Sequence, residues 1–158
     1  MKSSICICLA IVIAAISCAP KKITTSYTQE QVKEFLGKQS YQFIVRYVQP
    51  QGGRQRFITG NYTLQITKDR VQADLPYFGR AYSAPIGSDG GIKFNSTDFN
   101  YAANETGDGT RELTITLHDA GDVRTMFLRV YPGGAADLSV NSNNRQSISY
   151  RGEIAPLP

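Results

Sequence analysis

The sequence predicts an all-β protein, an antiparallel meander of about ten strands that closes as a barrel and carries one short N-terminal helix. Apolar residues alternate with polar ones at a period of two along most of the chain. Turn sequences rich in Gly, Pro, Asn and Asp interrupt this alternation at short intervals. Strands joined by such tight turns must be antiparallel, because parallel neighbours need long crossovers. A two-layer sandwich is the alternative closure.

The amino terminus has the features of an export signal. Lys2 gives it a positive start, and residues 5–16 form an apolar run of twelve residues, which is too short to span a bilayer as a helix. The sequence Ala15-Ile16-Ser17-Cys18 then resembles a bacterial lipobox, with Ala15 where Leu is more usual. We expect cleavage before Cys18 and attachment to the membrane through acyl chains on this residue. An ordinary cleaved signal with an incidental Cys is the alternative.

This lipobox divides the chain into a signal peptide (residues 1–17), a lipid-anchored tether (18–27) and a single β-barrel domain (28–158). No Asp follows Cys18 directly, which suggests the outer membrane, with the domain facing the periplasm. Cys6 and Cys8 leave with the signal peptide, so the stability of the domain must come from packing without a disulfide. The net charge of +4 is dispersed over the chain, which argues against a nucleic-acid partner.

The first element of the domain is predicted to be a helix over residues 28–37. Thr28 is a suitable N-cap because Gln31 follows three residues later, and Gly37 is a suitable C-cap. The apolar residues at helical spacing are Val32, Phe35 and Leu36. This single apolar face should lie against the sheet or cover one end of the barrel.

The alternating segments follow in chain order. They predict strands at residues 41–47, 57–67, 71–75, 80–86, 92–94, 99–101, 113–117, 126–130, 136–140 and 148–150. The apolar face of the first is formed by Tyr41, Phe43, Val45 and Tyr47. Because polar residues occupy the other face of each strand, that face should be wet, as in a barrel of lipocalin-like style. The segments are too short, and too poor in paired aromatic girdles, for a membrane-spanning barrel.

The stretch Leu75-Pro76-Tyr77-Phe78-Gly79-Arg80-Ala81-Tyr82-Ser83-Ala84-Pro85 marks a corner between two of these strands. Pro76 removes a backbone donor, and Gly79 permits a close backbone approach. Together with Asn143-Asn144-Arg145-Gln146-Ser147-Ile148-Ser149-Tyr150-Arg151-Gly152, this stretch resembles the motifs of a family of small Bacteroidetes-type lipoproteins of unknown function. The resemblance covers residues 28–154 and implies a lipid-anchored barrel, but it transfers no activity.

Six residues of the two motifs are candidates for ligand binding: Tyr77, Phe78, Arg80, Tyr82, Arg145 and Tyr150. A functional interpretation places them at the barrel mouth, where an arginine and phenol hydroxyls orient a ligand held on apolar walls. A structural interpretation makes them a plug, in which aromatic rings seal the end of the barrel and Arg80 stacks on a ring or caps carbonyls. The sequence leaves both interpretations open.

The sequence offers little for catalysis or metal binding, and it calls for no catalytic residue, no metal and no cofactor. His118 is the only histidine, and no nucleophile-elbow motif is present. The stretches around Asp89, Asp108 and the pair Asp119 and Asp122 lack the ligand spacing of a calcium loop. We expect them to form turns.

Three functions are compatible with these patterns. The first is a binding or interaction module, in which the barrel holds a small amphipathic ligand or its wet face meets an envelope protein. The second is a structural envelope component with a filled core. The third is a hydrolase that uses carboxylates such as Asp74, Asp98 or Glu112, although Asp74 and Glu112 fall on the wet side of their strands.

Overall fold

A computed structural model describes residues 27–82 and 90–158. It contains helix α1 (Gln29–Lys38) and the strands β1 (Tyr41–Pro50), β2 (Arg56–Phe57), β3 (Thr63–Ile66), β4 (Val71–Leu75), β5 (Ile92–Ser96), β6 (Phe99–Glu105), β7 (Arg111–Leu117), β8 (Val123–Val130), β9 (Ala135–Ser142) and β10 (Ile148–Ala155). All strand pairings are antiparallel. The predicted all-β fold with one short helix is confirmed. No helix in the part of the chain described here is long and apolar enough to cross a membrane.

The strands form one sheet that curls into a nearly closed barrel. Their order is β5-β4-β3-β1-β10-β9-β8-β7-β6, with β2 paired to β1 beside β3. The two edge strands, β5 and β6, are consecutive in the chain and are joined by only two residues, so the opening of the barrel lies between them. Closure therefore depends on how this short connection is held.

The connection between β5 and β6 is held by Asp119. Its carboxylate accepts hydrogen bonds from the backbone N–H groups of Thr97, at 2.9 Å, and Asp98, at 3.2 Å. It also accepts a short hydrogen bond from the buried Ser96 hydroxyl. These bonds hold the pKa of Asp119 below its usual value, and the bond from Ser96 has the largest effect. The stretch predicted as a turn thus also joins the two edges of the barrel.

Strand β1 pairs with β10 from Gln42 to Pro50 and contains a β-bulge at Arg46, where the register shifts between Val45 and Tyr47. The extra residue reverses the inward and outward phase of the strand. Val48 is buried as a result, and Tyr47 points outward with 41% of its surface exposed. The prediction that Tyr47 lies on the apolar face is therefore wrong, because the bulge shifts the alternation of the strand before Tyr47.

The interior of the barrel is filled by side chains. The largest of those that are fully buried are Tyr41, Tyr150, Phe43, Leu64, Ile66, Leu75, Ile92, Leu113, Ile115, Leu117, Met126 and Leu128. The hydroxyl of Tyr41 meets that of Tyr101 at 3.2 Å, which gives the buried phenol a polar partner. Burial raises the pKa of Tyr41 well above its ordinary value, so it stays neutral.

Helix α1 follows its predicted beginning but not its predicted end. Thr28 caps it through the expected reciprocal bonds with Gln31. The C-cap is Gln39, in a left-handed conformation (φ 48°), and not Gly37, which stays within the helix. Val32 and Leu36 are buried against the barrel, and Lys33 pairs with Glu105 of β6 at 3.0 Å. The helix therefore covers one end of the barrel.

Two predicted strands differ from those observed. The segment 57–67 is divided into β2 and β3, with Gly60 and Asn61 between them, because β1 changes partner at its bulge. Of the predicted strand 80–86, residues 80–82 contribute an isolated bridge between Ala81 and Arg145, and residues 83–89 lie outside those described. Tyr41 begins β1 next to the helix, and Pro50 ends it at the opposite end of the barrel.

Candidate functional site

The two sequence motifs lie against each other at the barrel end opposite the helix. The Tyr77 hydroxyl donates to the carbonyls of Arg80, at 2.8 Å, and Gln146, at 3.1 Å. Backbone bonds from Gln146 to Arg80 (3.0 Å) and from Tyr82 to Asn144 (2.8 Å) join the same segments. The corner predicted from Pro76 and Gly79 is thus closed by contacts with the second motif.

Gly79 leaves room at this corner for the side chain of Tyr77. A Cβ at residue 79 would lie 2.5 Å from the Tyr77 hydroxyl oxygen. Because that hydroxyl is bonded to two carbonyls, the ring is not free to move away. The tyrosine packs over the glycine and leaves no room for a side chain.

Arg145 connects three segments of the chain. Its guanidinium pairs with Asp122 at 3.0 Å, donates to the Gly91 carbonyl at 2.9 Å and lies 5.3 Å from the centre of the Tyr77 ring. Its side chain is largely buried, which strengthens these interactions relative to surface pairs. These contacts favour the structural interpretation of Arg145 and Tyr77.

Tyr150 lies inside the barrel wall and is fully buried. Its hydroxyl donates to the carbonyl of Pro76 at 2.9 Å, so it also joins the two motifs. Burial raises the pKa of Tyr150 far above that of a free phenol, which keeps it a neutral donor. Its only polar group is occupied within the protein, and this favours the structural interpretation for Tyr150 as well.

The other three candidates face solvent. Phe78 has 46% of its surface exposed, and the guanidinium of Arg56 lies 5.1 Å from the centre of its ring. Arg80 is exposed and lines a depression together with residues 50–54 and Arg56. Tyr82 is 72% exposed, and the structure does not bring its ring into this depression. Of the six candidates, Phe78 and Arg80 are those that line this depression.

A larger concavity of about 710 Å³ lies on the outer face of β1 and β7 to β10. We call it the outer trough. Two neighbouring rows of outward side chains cross these strands. The first is Thr114, Phe127, Ser139, Ser149 and Gln49, and the second is Glu112, Arg129, Asp137, Arg151 and Tyr47. The floor is low at Ser139 and Ser149 because these side chains are small, and Phe127 and Tyr47 rise on either side of it.

Charged pairs line one side of the outer trough. Arg129 pairs with Glu112 at 2.6 Å, and Arg151 pairs with Asp137 at 3.4 Å. The bonded carboxylate of Glu112 raises the pKa of Arg129. Because both pairs lie at directly opposed positions of adjacent strands, they hold their polar groups along the trough.

Tyr47 and Phe127 are the residues of this trough that the sequence analysis missed. A signal for Phe127 is present in the sequence, since it falls on the polar phase between Met126 and Leu128 and is 46% exposed. No local signal marks Tyr47, whose outward position depends on the bulge. The rows themselves depend on cross-strand register, which is not encoded locally.

The described residues contain no group of three or more His, Cys, Asp or Glu side chains that could hold a metal ion. His118 is exposed and meets the side-chain amide of Asn100 at 3.0 Å. Asp108 forms the predicted turn, since its carboxylate accepts from the Thr110 N–H at 3.0 Å. Asp89 lies outside the described residues.

The carboxylates considered for a hydrolase are not brought together as a pair. Glu112 of β7 is paired with Arg129 on the outer face. Asp74 of β4 lies on another part of the sheet, 4.0 Å from Lys93. The carbonyl of Asp98 accepts from the His118 N–H at the β5–β6 connection. These positions give no two-carboxylate cleft of the kind that glycoside hydrolysis needs.

The fold and its sites define a nearly closed antiparallel barrel with a filled interior and open concavities on its outside. Residues 24–154 match the family described as Domain of unknown function (DUF4251), and the chain belongs to that family. The inferred membership of a family of unknown function is confirmed. The lipid anchor stays a prediction, since Cys18 lies outside the described residues.

Among solved structures, the chain is similar to that of a DUF4251 family protein from Bacteroides eggerthii. The TM-score is 0.65 at 19% sequence identity, and the match covers 81% of this chain and 87% of that chain. A likeness at this identity establishes the fold alone. No curated protein matches the chain.

Proposed function

We propose that this protein is a lipid-anchored envelope binding module that holds a small amphipathic ligand in the outer trough. One observation carries the proposal: Phe127 and Tyr47 expose 46% and 41% of their surfaces on either side of a floor of small serines. Exposed aromatic side chains around a concavity are costly to leave in water, and they are common at binding sites.

Because side chains fill the interior of the barrel, we place the ligand on the outer face. Side chains such as Phe43, Met126 and Tyr150 occupy the space in which a barrel of lipocalin-like style would carry its ligand. The outer trough, at about 710 Å³, is within the range of small-molecule sites. The wet face of the sheet is therefore the better-supported location for a ligand.

The chemistry of the trough indicates the kind of ligand. The rings of Phe127 and Tyr47 can cover an apolar face, while the hydroxyls of Ser139 and Ser149 can exchange hydrogen bonds with a polar edge. The Arg129 and Arg151 pairs add fixed donors and acceptors beside them. A molecule with an apolar face and several polar groups matches this arrangement.

The proposed location in the cell is supported by the lipobox at Cys18 and by the resemblance to small lipoproteins. The chain enters the barrel at helix α1, whereas the outer trough lies on the side of the barrel, on β1 and β7 to β10. Several acyl chains on Cys18 would hold the protein at the outer membrane and leave this face free to meet periplasmic ligands.

The proposal is tested by native mass spectrometry of residues 19–158 after expression in a bacterial periplasm. The expected result is a co-purifying small molecule that is lost in Phe127→Ala and kept in Phe78→Ala. Phe78 is a matched control because it has the same exposed fraction as Phe127 but lies in the other depression. A bare mass for the unaltered domain would contradict the proposal and favour the second candidate, a structural envelope component, which the filled core also fits.

A further inference from the structure

A second depression, of about 400 Å³, lies at the barrel end away from helix α1. We call it the arginine depression. It is bounded by the loop at residues 50–56, by the corner at residues 78–80 and by Gln146. Three arginines line it, namely Arg54, Arg56 and Arg80, and no Asp or Glu of residues 27–82 and 90–158 is among its lining residues. Its charge is therefore strongly positive.

The arginines of this depression differ from most others in the chain. Five of the ten arginines, Arg46, Arg111, Arg129, Arg145 and Arg151, lie within 4.0 Å of a carboxylate. Among residues 27–82 and 90–158, no carboxylate pairs with Arg54, Arg56 or Arg80. Three like charges beside one concavity repel each other, and a bound anion would relieve that repulsion.

The side chains around the arginine depression favour a phosphate group over other anions. The Arg56 guanidinium lies 5.1 Å from the centre of the exposed Phe78 ring, a contact that orients its planar group of donors. Guanidinium groups form paired hydrogen bonds with phosphate oxygens. The Phe78 ring beside them offers an apolar surface to whatever the phosphate is attached to.

The loop at residues 50–56 separates the arginine depression from the outer trough. Gln55 lines the trough, whereas Arg54 and Arg56 on either side of it line the depression. The two concavities thus share a loop and use different side chains of it. Loss of one site does not require loss of the other.

We propose that the arginine depression binds a phosphate ester, held by Arg54, Arg56 and Arg80, with Phe78 covering the carbon atoms next to the phosphate. This site is independent of the outer trough. Pro50 at the depression and Tyr41 next to helix α1 are the two ends of β1, so roughly 30 Å of strand separates the depression from the point where the tether joins. The phosphate can belong to a free metabolite or to a lipid.

The test is a titration of ¹⁵N-labelled residues 19–158, a chain that keeps the helix, all ten strands and the whole core described above, followed by NMR. The probes are inorganic phosphate and dihexanoyl phosphatidic acid, with chloride at equal ionic strength as the salt control. We expect saturable shifts at residues 50–56 and 78–80 with both probes and not with chloride. Glycerol 3-phosphate is a third probe: tighter binding of the short-chain lipid than of this ester would assign a lipid source, and equal binding of the two esters would assign a free phosphorylated molecule. Inorganic phosphate that binds as tightly as either ester would contradict the role of Phe78.

Two triple variants complete the test. The change of Arg54, Arg56 and Arg80 to Gln should weaken phosphate binding about tenfold or more. The matched control changes Lys68, Arg70 and Arg124 to Gln, which removes the same three charges from exposed positions elsewhere. It should change the affinity by less than about twofold, because distant surface charges are screened by salt. Equal losses in the two variants, or shifts of the unaltered protein spread over all exposed arginines, would overturn the proposal.

Discussion

The hydroxyl of Tyr150 donates a hydrogen bond to the carbonyl of Pro76 at 2.9 Å, and this buried contact joins the two motifs of the sequence. Tyr150→Phe leaves the Pro76 carbonyl without its hydrogen-bond donor at a buried position. We expect a loss of about 1–3 kcal/mol in the free energy of unfolding, measured by urea denaturation. Tyr131→Phe, which removes an exposed bond to Asp137, should cost less than about 0.5 kcal/mol. Equal effects of the two changes would contradict the structural role of Tyr150.

Gly152 of β10 lies so close to β1 that any side chain there would collide with the backbone. A Cβ at this position would be 1.9 Å from the carbonyl oxygen of Ile44. We expect Gly152→Ala to destabilise the barrel by about 3 kcal/mol, since the two central strands must separate. Gly37→Ala is the control, because nothing lies within 4 Å of that Cβ and alanine favours a helix by about 0.5–1 kcal/mol. A neutral Gly152→Ala would refute the close pairing of β1 and β10.

The carboxylate of Asp119 should make the closure of the barrel sensitive to acid. Hydrogen bonds from Ser96 and from the Thr97 and Asp98 N–H groups lower its pKa in the folded protein. A lowered pKa stabilises the fold above the ordinary carboxyl pKa of about 4, and this stability is lost as the pH falls through the folded value. Between pH 4 and pH 2, the urea midpoint of the unaltered protein should therefore fall more steeply than that of Asp119→Asn. Parallel curves would contradict this role.

The predicted lipid anchor has a direct test by fractionation of cells. Cys18→Ser removes the thiol that we expect to be acylated, and the protein should move from the membrane to the soluble fraction. Cys6→Ser, in the signal peptide, should leave the protein in the membrane fraction. Retention of the Cys18→Ser protein on the membrane would show that the lipobox interpretation is wrong.

Local pattern was sufficient for much of the fold. The alternation of Leu113, Ile115 and Leu117 places β7 correctly, and Thr28 with Gln31 predicts the start of helix α1. These features depend on residues that are close in sequence. The period of a strand or helix places such residues on the same face of the element. The end of the helix was misplaced because Gln39 adopts the left-handed conformation that a glycine usually takes.

The candidate site depended on information that no local pattern carries. The bulge at Arg46 arises where β1 changes partner from β3 to β2, and it turns Tyr47 outward. The trough exists only because the register sets Phe127 opposite Ser139, and Ser139 opposite Ser149. The structure brings the two motifs together, but most of their polar groups bond within the protein. The open concavities beside them were not foreseen.

The central claim is that the outer trough holds a ligand. The most direct test is a substitution that fills the floor of the trough, followed by a measurement of ligand binding. Ser139→Tyr places a large side chain between Phe127 and Ser149, at an outward strand position where tyrosine is well tolerated. Native mass spectrometry of the periplasmic domain should then show the unaltered protein with its bound molecule and the variant without it. The urea midpoint should be the same for both. A variant that keeps the same bound molecule would contradict the account.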